Sequence, residues 1–318
     1  MISEGMLDME GFDLRGGFTN QKCYRSQRLG KLVSSLLSIE AEEAREAGMI
    51  AYMARSMVMA TLPHSKPKGH VFQRRNGEFT MTMIGNPNFG LPYGSLPRLL
   101  LAWTTREAKI KNSPVLHLGK SFSSFLNVLK LSKSGGERGD ATRLRDQLLR
   151  LFSTHISCVY QNNKKGVCKS EQFIVAKSFN LWWNPIKEEK DGISSQSTIV
   201  LAKDFFEEII NRPVPVDFRM LQALRRSPLQ MDIYVWLTYR FSYLKKSSLI
   251  HWNLLSNQFG SNYANTQQGL RDFKREFLKA LHVVTVMYQD ASVEIQDNGL
   301  LLKPGKSHVA RKKNMGDT

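Results

Sequence analysis

The spacing of apolar residues along the chain predicts helices and strands in two similar halves. In the first half, apolar positions three and four residues apart predict helices over 97–109, 121–131 and 142–152. A short apolar run at 156–160, the turn QNNKKG and an extended stretch at 172–177 then predict a β-hairpin. The predicted order in this half is therefore three helices followed by two paired strands.

The second half repeats this order. Its pattern predicts helices over 228–243, 253–259 and 266–281, followed by strands over 283–288, 293–295 and 300–303. The sequence LRDQLLRLFSTHISCVYQ at 144–161 aligns with LRDFKREFLKALHVVTVMYQ at 270–289 after a two-residue insertion. A supersecondary unit that occurs twice indicates two similar domains.

Three helices and a hairpin are typical of a winged helix-turn-helix. Its third helix usually enters the major groove of DNA, and its hairpin lies against the backbone or minor groove. We therefore predict an α+β fold with two tandem winged helix-turn-helix domains preceded by a helical N-terminal segment. The predicted divisions are a flexible leader at 1–38, a helical segment and strand at 39–89, winged-helix domains at 90–212 and 213–306, and a basic tail at 307–318.

The helical N-terminal segment is predicted from the pattern over 32–60. Ile50, Met53 and Met57 recur there at helical spacing beside an acidic stretch. A buried face is the favoured interpretation of these side chains, and a partner-docking face is the alternative. After a basic, turn-prone linker, the alternation over 78–84 predicts a strand.

The net charge narrows the class of partner. The 318 residues include 45 Lys+Arg against 28 Asp+Glu, a formal net charge of +17. The first 60 residues hold 7 of the basic residues and 8 of the acidic ones, so the whole excess lies in the remainder. A folded, strongly basic body points to a polyanionic partner, either nucleic acid or an anionic membrane surface.

The membrane alternative is the weaker one, because no apolar run approaches the roughly 18 residues that cross a bilayer. The N-terminus also lacks the basic and then apolar order of a secretory signal. Three cysteines without a CxxC pair fit free thiols in a reducing compartment. We therefore expect a cytoplasmic protein that binds nucleic acid and has no membrane partner.

The predicted third helix of the second half has one apolar and one polar face. Its apolar side carries Leu270, Phe273, Phe277 and Leu281, with Lys274 near the edge. The DNA-contact candidates on and near the other side are Gln267, Gln268, Arg271, Arg275 and Lys279. Glutamine can pair with adenine edges, and arginine can reach guanine or phosphate. A solvated helix face with no DNA contact is the alternative.

The corresponding helix of the first half has fewer candidates. Arg143 and Arg150 lie opposite its leucine stripe, and Arg138 precedes it. At the tip of the predicted hairpin, Lys164 and Lys165 form a candidate basic wing. A turn that lysines keep soluble explains the tip equally well.

Motifs for catalysis and for cofactors fail on spacing. Gly119, Lys120 and Ser121 match only the end of a GxxxxGK[ST] phosphate-binding loop, because position 114 is proline. The seven histidines are scattered, and Cys158 and Cys168 flank a turn, so no zinc site is expected. We expect no enzyme, no catalytic residue, no metal and no cofactor.

Five stretches of the chain carry a family resemblance. They are IEAEEAREAGMIAYMARSMVMATLPH (39–64), NGEFTMTMIG (76–85), GLPYGSLPRLLLAWTTREA (90–108), GGERGDATRLRDQLLRLF (135–152) and QMDIYVWLTYRFSYL (230–244). The chain from about residue 40 to 304 resembles the plasmid-encoded RepA replication initiator family, and GLPYGSLPRLLLAW is the most specific part of the match.

The resemblance implies a theta-type initiator that binds repeated sites, called iterons, in double-stranded origin DNA. It also implies duplex opening and recruitment of host replication proteins. In initiators of this kind the second winged-helix domain generally makes the main iteron contacts. This implies major-groove roles for Arg271, Arg275, Gln267 and Gln268. The first domain contributes to dimerisation and to supporting contacts, here Arg143 and Arg150, so a homodimer is possible.

Two other functions fit the same fold and charge. The runner-up is a winged-helix transcriptional regulator, such as a repressor, without a replication role. A third class is a DNA-processing enzyme.

Overall fold

The computed structural model describes residues 50–54, 58, 61–162, 166–181, 197–211, 213–260 and 262–309. The predicted leader at 1–38 and most of the predicted helical segment lie outside these residues. Within them the fold is mixed α and β, with eight helices and small antiparallel sheets. None of the helices in these ranges is long and apolar enough to cross a bilayer.

The described residues form twelve strands and eight helices. The strands are β1 (Ile50–Ala54), β2 (Val71–Asn76), β3 (Phe79–Ile84), β4 (Val115–His117), β5 (His155–Asn162), β6 (Val167–Ile174), β7 (Ala176–Asn180), β8 (Thr198–Leu201), β9 (Pro213–Asp217), β10 (Ser248–His251), β11 (Val293–Gln296) and β12 (Gly299–Leu302). The helices are α1 (Ser95–Lys111), α2 (Phe122–Val128), α3 (Asp140–Phe152), α4 (Lys203–Asn211), α5 (Phe218–Ala223), α6 (Pro228–Phe241), α7 (Trp252–Phe259) and α8 (Gln267–Met287). All six helices predicted in the two halves are present.

The two halves share one topology. In the first, α1, β4, α2 and α3 are followed by β7 and β8, and the sheet order is β4-β8-β7. In the second, α6, β10, α7 and α8 are followed by β11 and β12, and the sheet order is β10-β12-β11. In both sheets the last strand lies in the middle, paired with the short strand that follows the first helix. The structure thus contains the helices of the repeat that the aligned sequences predict, but the aligned β-branched runs differ, since the run at 156–160 lies in β5 and the run at 283–287 lies in α8.

The hairpin predicted for the first half belongs to another sheet. Strands β5 and β6 pair with each other, but β5 also pairs with β3, which gives the order β2-β3-β5-β6. The strand predicted at 172–177 was wrong in extent, since β6 ends at Ile174 and β7 begins at Ala176. The sequence misled because the inserted hairpin directly follows α3, where the second half has its own hairpin.

The helix predicted across Ile50 and Met53 was also wrong at those positions. Residues Ile50–Ala54 form β1, which pairs antiparallel with β9 from Ile50 opposite Asp217 to Ala54 opposite Pro213. Met53 is buried there. A few apolar residues fit either the helical or the strand period. The partner strand, 159 to 167 residues away in the chain, decides between them. Met57 lies outside the described residues.

The strand predicted at 283–288 was a third error. This β-branched run forms the last turns of α8, and Tyr288 is its C-cap. Val284 and Met287 are buried on the side that carries Phe277 and Leu281, so the helical period continues through the run. Burial of these side chains outweighs the small helix penalty of β-branched residues.

Contacts across the predicted boundary at 212 and 213 join the two halves. Besides the β1–β9 pairing, Gln258 Nε2 donates to the Val58 carbonyl at 3.1 Å and Thr61 Oγ1 donates to the Gln258 carbonyl at 3.1 Å. The described residues lie in one compact unit. The division into separate domains stays a prediction.

Candidate nucleic-acid interface

Helix α8 begins in a tightly fixed geometry. The Thr266 side chain caps it by accepting a hydrogen bond from the Gly269 amide at 3.0 Å. Gly269 lies so close to the preceding loop that a Cβ there would come within 2.0 Å of the Ala264 carbonyl oxygen. The loop and cap therefore set where the first turn of α8 points.

The five polar candidates of this helix all reach solvent. Phe273, Phe277 and Leu281 are fully buried on the inner side of α8. The exposed side chains on the opposite side and in the first turn, which we call the α8 face, are Gln267, Gln268, Arg271, Arg275 and Lys279. They span about 18 Å along the helix at 1.5 Å per residue. The predicted division of this helix into a core side and a polar side is confirmed.

Two carboxylates, which the sequence analysis did not consider, lie among these cations. Arg275 Nη2 is 2.9 Å from Asp272 Oδ1, and its Nε is 3.4 Å from Glu276 Oε1, which Lys279 also approaches at 3.1 Å. Gln268 Nε2 donates to Asp272 at 3.2 Å. The spacing of three or four residues in the sequence would have indicated all of these pairs except that of Arg275 with the adjacent Glu276.

The carboxylates shift the titration of their partners. The hydrogen bond to Glu276, with the charge of Asp272, raises the pKa of Arg275. Partial burial pushes the pKa of Glu276 upward, but hydrogen bonds and charge from Lys279 and Arg275 hold it below its ordinary value. Exposed pairs of this kind contribute little to stability, so a phosphate can replace the carboxylate as partner. Arg271 has no ion pair with the described residues.

Lys274 contacts an aromatic ring and not a carboxylate of the described residues. Its Nζ lies 4.8 Å from the centre of the Trp252 ring, at the start of α7. The indole Nε1 of Trp252 donates to the carbonyls of Gln296 and Asp297 at 3.2 and 3.1 Å. Lys274 thus lies at the edge of the core, as predicted, and these contacts join α7, α8 and the β11–β12 turn.

The hairpin beside α8 has an acidic turn. Glu294 on β11 forms an ion pair with Lys303 at 2.7 Å, and Asp297 lies in the turn. An acidic turn is repelled by phosphate. Basic contacts near α8 therefore come from the helix and not from this hairpin.

In the first half, Arg138 and Arg143 are exposed at the start of α3, and Arg143 pairs with Asp140. Arg150 is different, since only 13% of its side chain is exposed. Its Nε lies 2.8 Å from Asp146, its Nη1 donates to the Leu91 carbonyl at 3.4 Å, and its guanidinium covers the Tyr93 ring. The structure therefore gives Arg150 an internal bracing role that its spacing did not reveal.

The remaining candidates cannot be placed. Lys164 and Lys165 lie outside the described residues, and so does the tail from residue 310 onward. Residues 307–309 of the predicted tail pack against the fold: Ser307 Oγ donates to the Thr238 carbonyl at 3.3 Å, and Val309 is buried.

Among the residues with described positions, no group of three His, Cys, Asp or Glu could hold a metal ion.

An exposed basic helix face on a duplicated α+β unit defines a candidate nucleic-acid-binding protein. The profile of the family described as "Plasmid encoded RepA protein" matches residues 91–253, about half of the chain. The chain therefore belongs to the plasmid-encoded RepA family, as its sequence resemblance indicates.

No curated protein matches the chain. Among solved structures, the crystal structure of RctB domains 2–3 is similar with a TM-score of 0.46 and 13% identity, covering 78% of this chain and 96% of that one.

Proposed function

We propose that this protein is a non-catalytic plasmid replication initiator that binds repeated duplex sites at its origin. The proposal combines membership of the RepA family with the α8 face. The α8 face is the observation that carries it, because a helix with five exposed amide and cationic side chains on one side suits a major groove.

The shared topology supports two winged-helix units. Both halves contain a helix, a short strand, two helices and a two-stranded wing, in that order. In each sheet the last strand is the central one. In this interpretation α3 and α8 are the recognition helices, and the wing of the first unit is β7–β8 in place of the predicted β5–β6. The β5–β6 hairpin is then an insertion between α3 and its wing.

The α8 face would supply both affinity and specificity. Gln267 and Gln268 in the first turn would read adenine edges, and Arg271 and Arg275 would reach guanine or phosphate. Lys279, three turns along, would neutralise phosphate. In the first unit, Arg138 and Arg143 would add backbone contacts, whereas Arg150 is held by Asp146 and Leu91.

Initiation would follow from occupancy of adjacent repeats. Two units per chain, bound along several sites, would bend or untwist the intervening DNA at a deformation cost that its sequence determines. Host replication proteins would then load at the opened duplex. We propose that these steps take place in the cytoplasm and that the chain can act as a homodimer.

A binding assay tests the role of the α8 face. Full-length protein is titrated against a labelled origin duplex in the presence of an unrelated duplex of equal length. The variant Arg271→Ala/Arg275→Ala is expected to lose the preference for origin DNA while its circular dichroism stays unchanged. Lys203→Ala, at an exposed lysine of α4 that approaches Glu207, is the control and should keep the preference. Unchanged preference in the double variant would remove α8 from the mechanism.

The absence of catalysis is tested separately. Supercoiled origin DNA is incubated with the protein and Mg²⁺, and nicked circles are measured. We expect no nicking, and nicking that depends on a tyrosine of this chain would overturn the proposal.

A further inference from the structure

Two turns from opposite halves of the chain meet at the junction of the proposed units. The first follows α2 and contains Lys130, and the second follows α5 and contains Arg225. Arg225 Nη1 donates to the Lys130 carbonyl, and Gln222 Nε2 donates to the Val128 carbonyl at 3.1 Å. These contacts join residues about 95 positions apart and fix the two turns side by side.

Four cations lie on these two adjoining segments of the chain. Lys130, Lys133 and Arg226 are exposed, and Arg225 is half-buried. We call these four residues the junction ridge. Within the described part of the chain, none of them forms an ion pair, and Glu137 is the one carboxylate among residues 130–138. Cations on one surface that form no ion pairs favour the binding of an anion there.

The ridge continues into the first proposed recognition helix. The Ser132 amide donates to Asp140 Oδ2 at 3.0 Å, and Asp140 pairs with Arg143 on α3. Lys133 therefore belongs to the turn that leads to Arg138 and Arg143. In a helix-turn-helix this turn leads into the N-terminal residues of the recognition helix, which contact the major groove. The cations of the second turn extend that surface toward the second half.

We propose that the junction ridge binds the phosphate backbone of duplex DNA between the sites of α3 and α8. The inference rests on the proposed function. The four side chains of the ridge are lysines and arginines on turns, which suit phosphate rather than base edges. The ridge would thus hold the two units in register on the duplex without reading sequence, and would contribute equally to origin and unrelated DNA.

The slope of affinity against salt measures these contacts. Lys133→Ala/Arg226→Ala removes two exposed cations that make no ion pair with described residues, so the fold should persist. We expect the slope of log affinity against log salt to become shallower by about 1.8, at about 0.9 per phosphate contact. Affinity for origin and unrelated duplexes should fall by the same factor.

The matched control is Lys111→Ala/Lys203→Ala. These lysines approach Glu107 and Glu207 on their own helices at 3.2 and 3.9 Å, so the same charge is removed where carboxylates already compensate it. The control slope should equal that of the wild type. A ridge variant with the wild-type slope would overturn the inference, and so would a loss confined to origin DNA.

The two proposals fail in different ways. If the wild type shows no preference for origin DNA but the ridge variant still has the shallower slope, the proposed function fails and the ridge remains a duplex-binding surface. If the wild type prefers origin DNA and the ridge variant matches it in slope, only the ridge fails.

Discussion

Arg98 on α1 and Asp232 on α6 form a two-point ion pair between the halves of the chain. Arg98 Nε lies 2.6 Å from Asp232 Oδ1, and Nη2 lies 2.7 Å from Oδ2. His64 Nε2 donates to the same carboxylate at 2.8 Å, and Arg98 also donates to the Leu62 carbonyl at 2.7 Å. Burial pushes the pKa of Asp232 upward, but the charges and hydrogen bonds of Arg98 and His64 together outweigh burial and hold this pKa below its ordinary value.

Removing Asp232 should destabilise the protein strongly. Asp232→Ala leaves the buried Arg98 charge without its counter-ion, which costs about 3–5 kcal/mol of unfolding free energy. The exposed pair of Glu294 with Lys303 is the control, and Glu294→Ala should cost at most about 1 kcal/mol. Denaturant unfolding measures both. Equal losses would contradict a stabilising role for the buried pair.

The stability of the protein should fall as the pH decreases below about 6.5, the ordinary pKa of histidine. Burial lowers the pKa of His308, and burial also outweighs Asp232 in lowering the pKa of His64. A histidine whose folded pKa is lowered contributes stability that is present above its unfolded pKa and is lost as the pH falls toward the folded value.

His308 has a specific reason to stay neutral. Burial raises the pKa of Tyr234 well above its ordinary value, so its hydroxyl keeps the proton. That hydroxyl accepts from the Asp217 amide and lies 2.9 Å from His308 Nδ1, which accepts its hydrogen only in the neutral ring. The fall in Tm between pH 7.5 and 5.5 should be smaller in His308→Gln than in the wild type. An equal fall would assign the pH dependence to other groups.

Arg143 and Arg150 should separate binding from stability. Arg150→Ala should lower the unfolding free energy by about 1–3 kcal/mol, because the residue is nearly buried and bonded to Asp146 and Leu91. Arg143→Ala should change stability by less than about 0.5 kcal/mol but weaken DNA binding. Unfolding curves and duplex titrations on both variants check this. The reverse pattern would show that the two roles are exchanged.

Gly269→Ala should displace the start of α8. The new methyl would meet the Ala264 carbonyl oxygen, so the loop must move at a cost of about 1–3 kcal/mol, with a weaker preference for origin DNA. Gly135→Ala is the control, since a Cβ there meets nothing within 4 Å. Thermal unfolding and origin-duplex titration measure the two effects. A fully stable Gly269→Ala variant with normal binding would contradict the importance of this close approach.

The sequence predicts correctly the features that local periodicity determines, such as the buried and exposed sides of α8. Phe273, Phe277 and Leu281 define the inner side of α8, and the candidates opposite them are exposed. The prediction from sequence is wrong at β1, where pairing with the distant strand β9 determines the conformation. It is also wrong at the end of α8, where packing extends the helix through β-branched residues such as Val284. The contact of Arg150 with the Leu91 carbonyl and the hydrogen bond from Arg225 to the Lys130 carbonyl are tertiary contacts, which the spacing of residues in the sequence does not indicate.

Plasmid maintenance tests the central claim most directly. A plasmid that carries the origin but no initiator gene is introduced into cells that supply the wild-type protein, Arg271→Ala/Arg275→Ala or no protein, with protein levels matched by immunoblotting. The proposed function predicts maintenance with the wild-type protein and loss in the other two cases. Maintenance without the protein, or failure with a wild-type protein that binds origin DNA, would contradict the initiator role and favour a regulator of transcription.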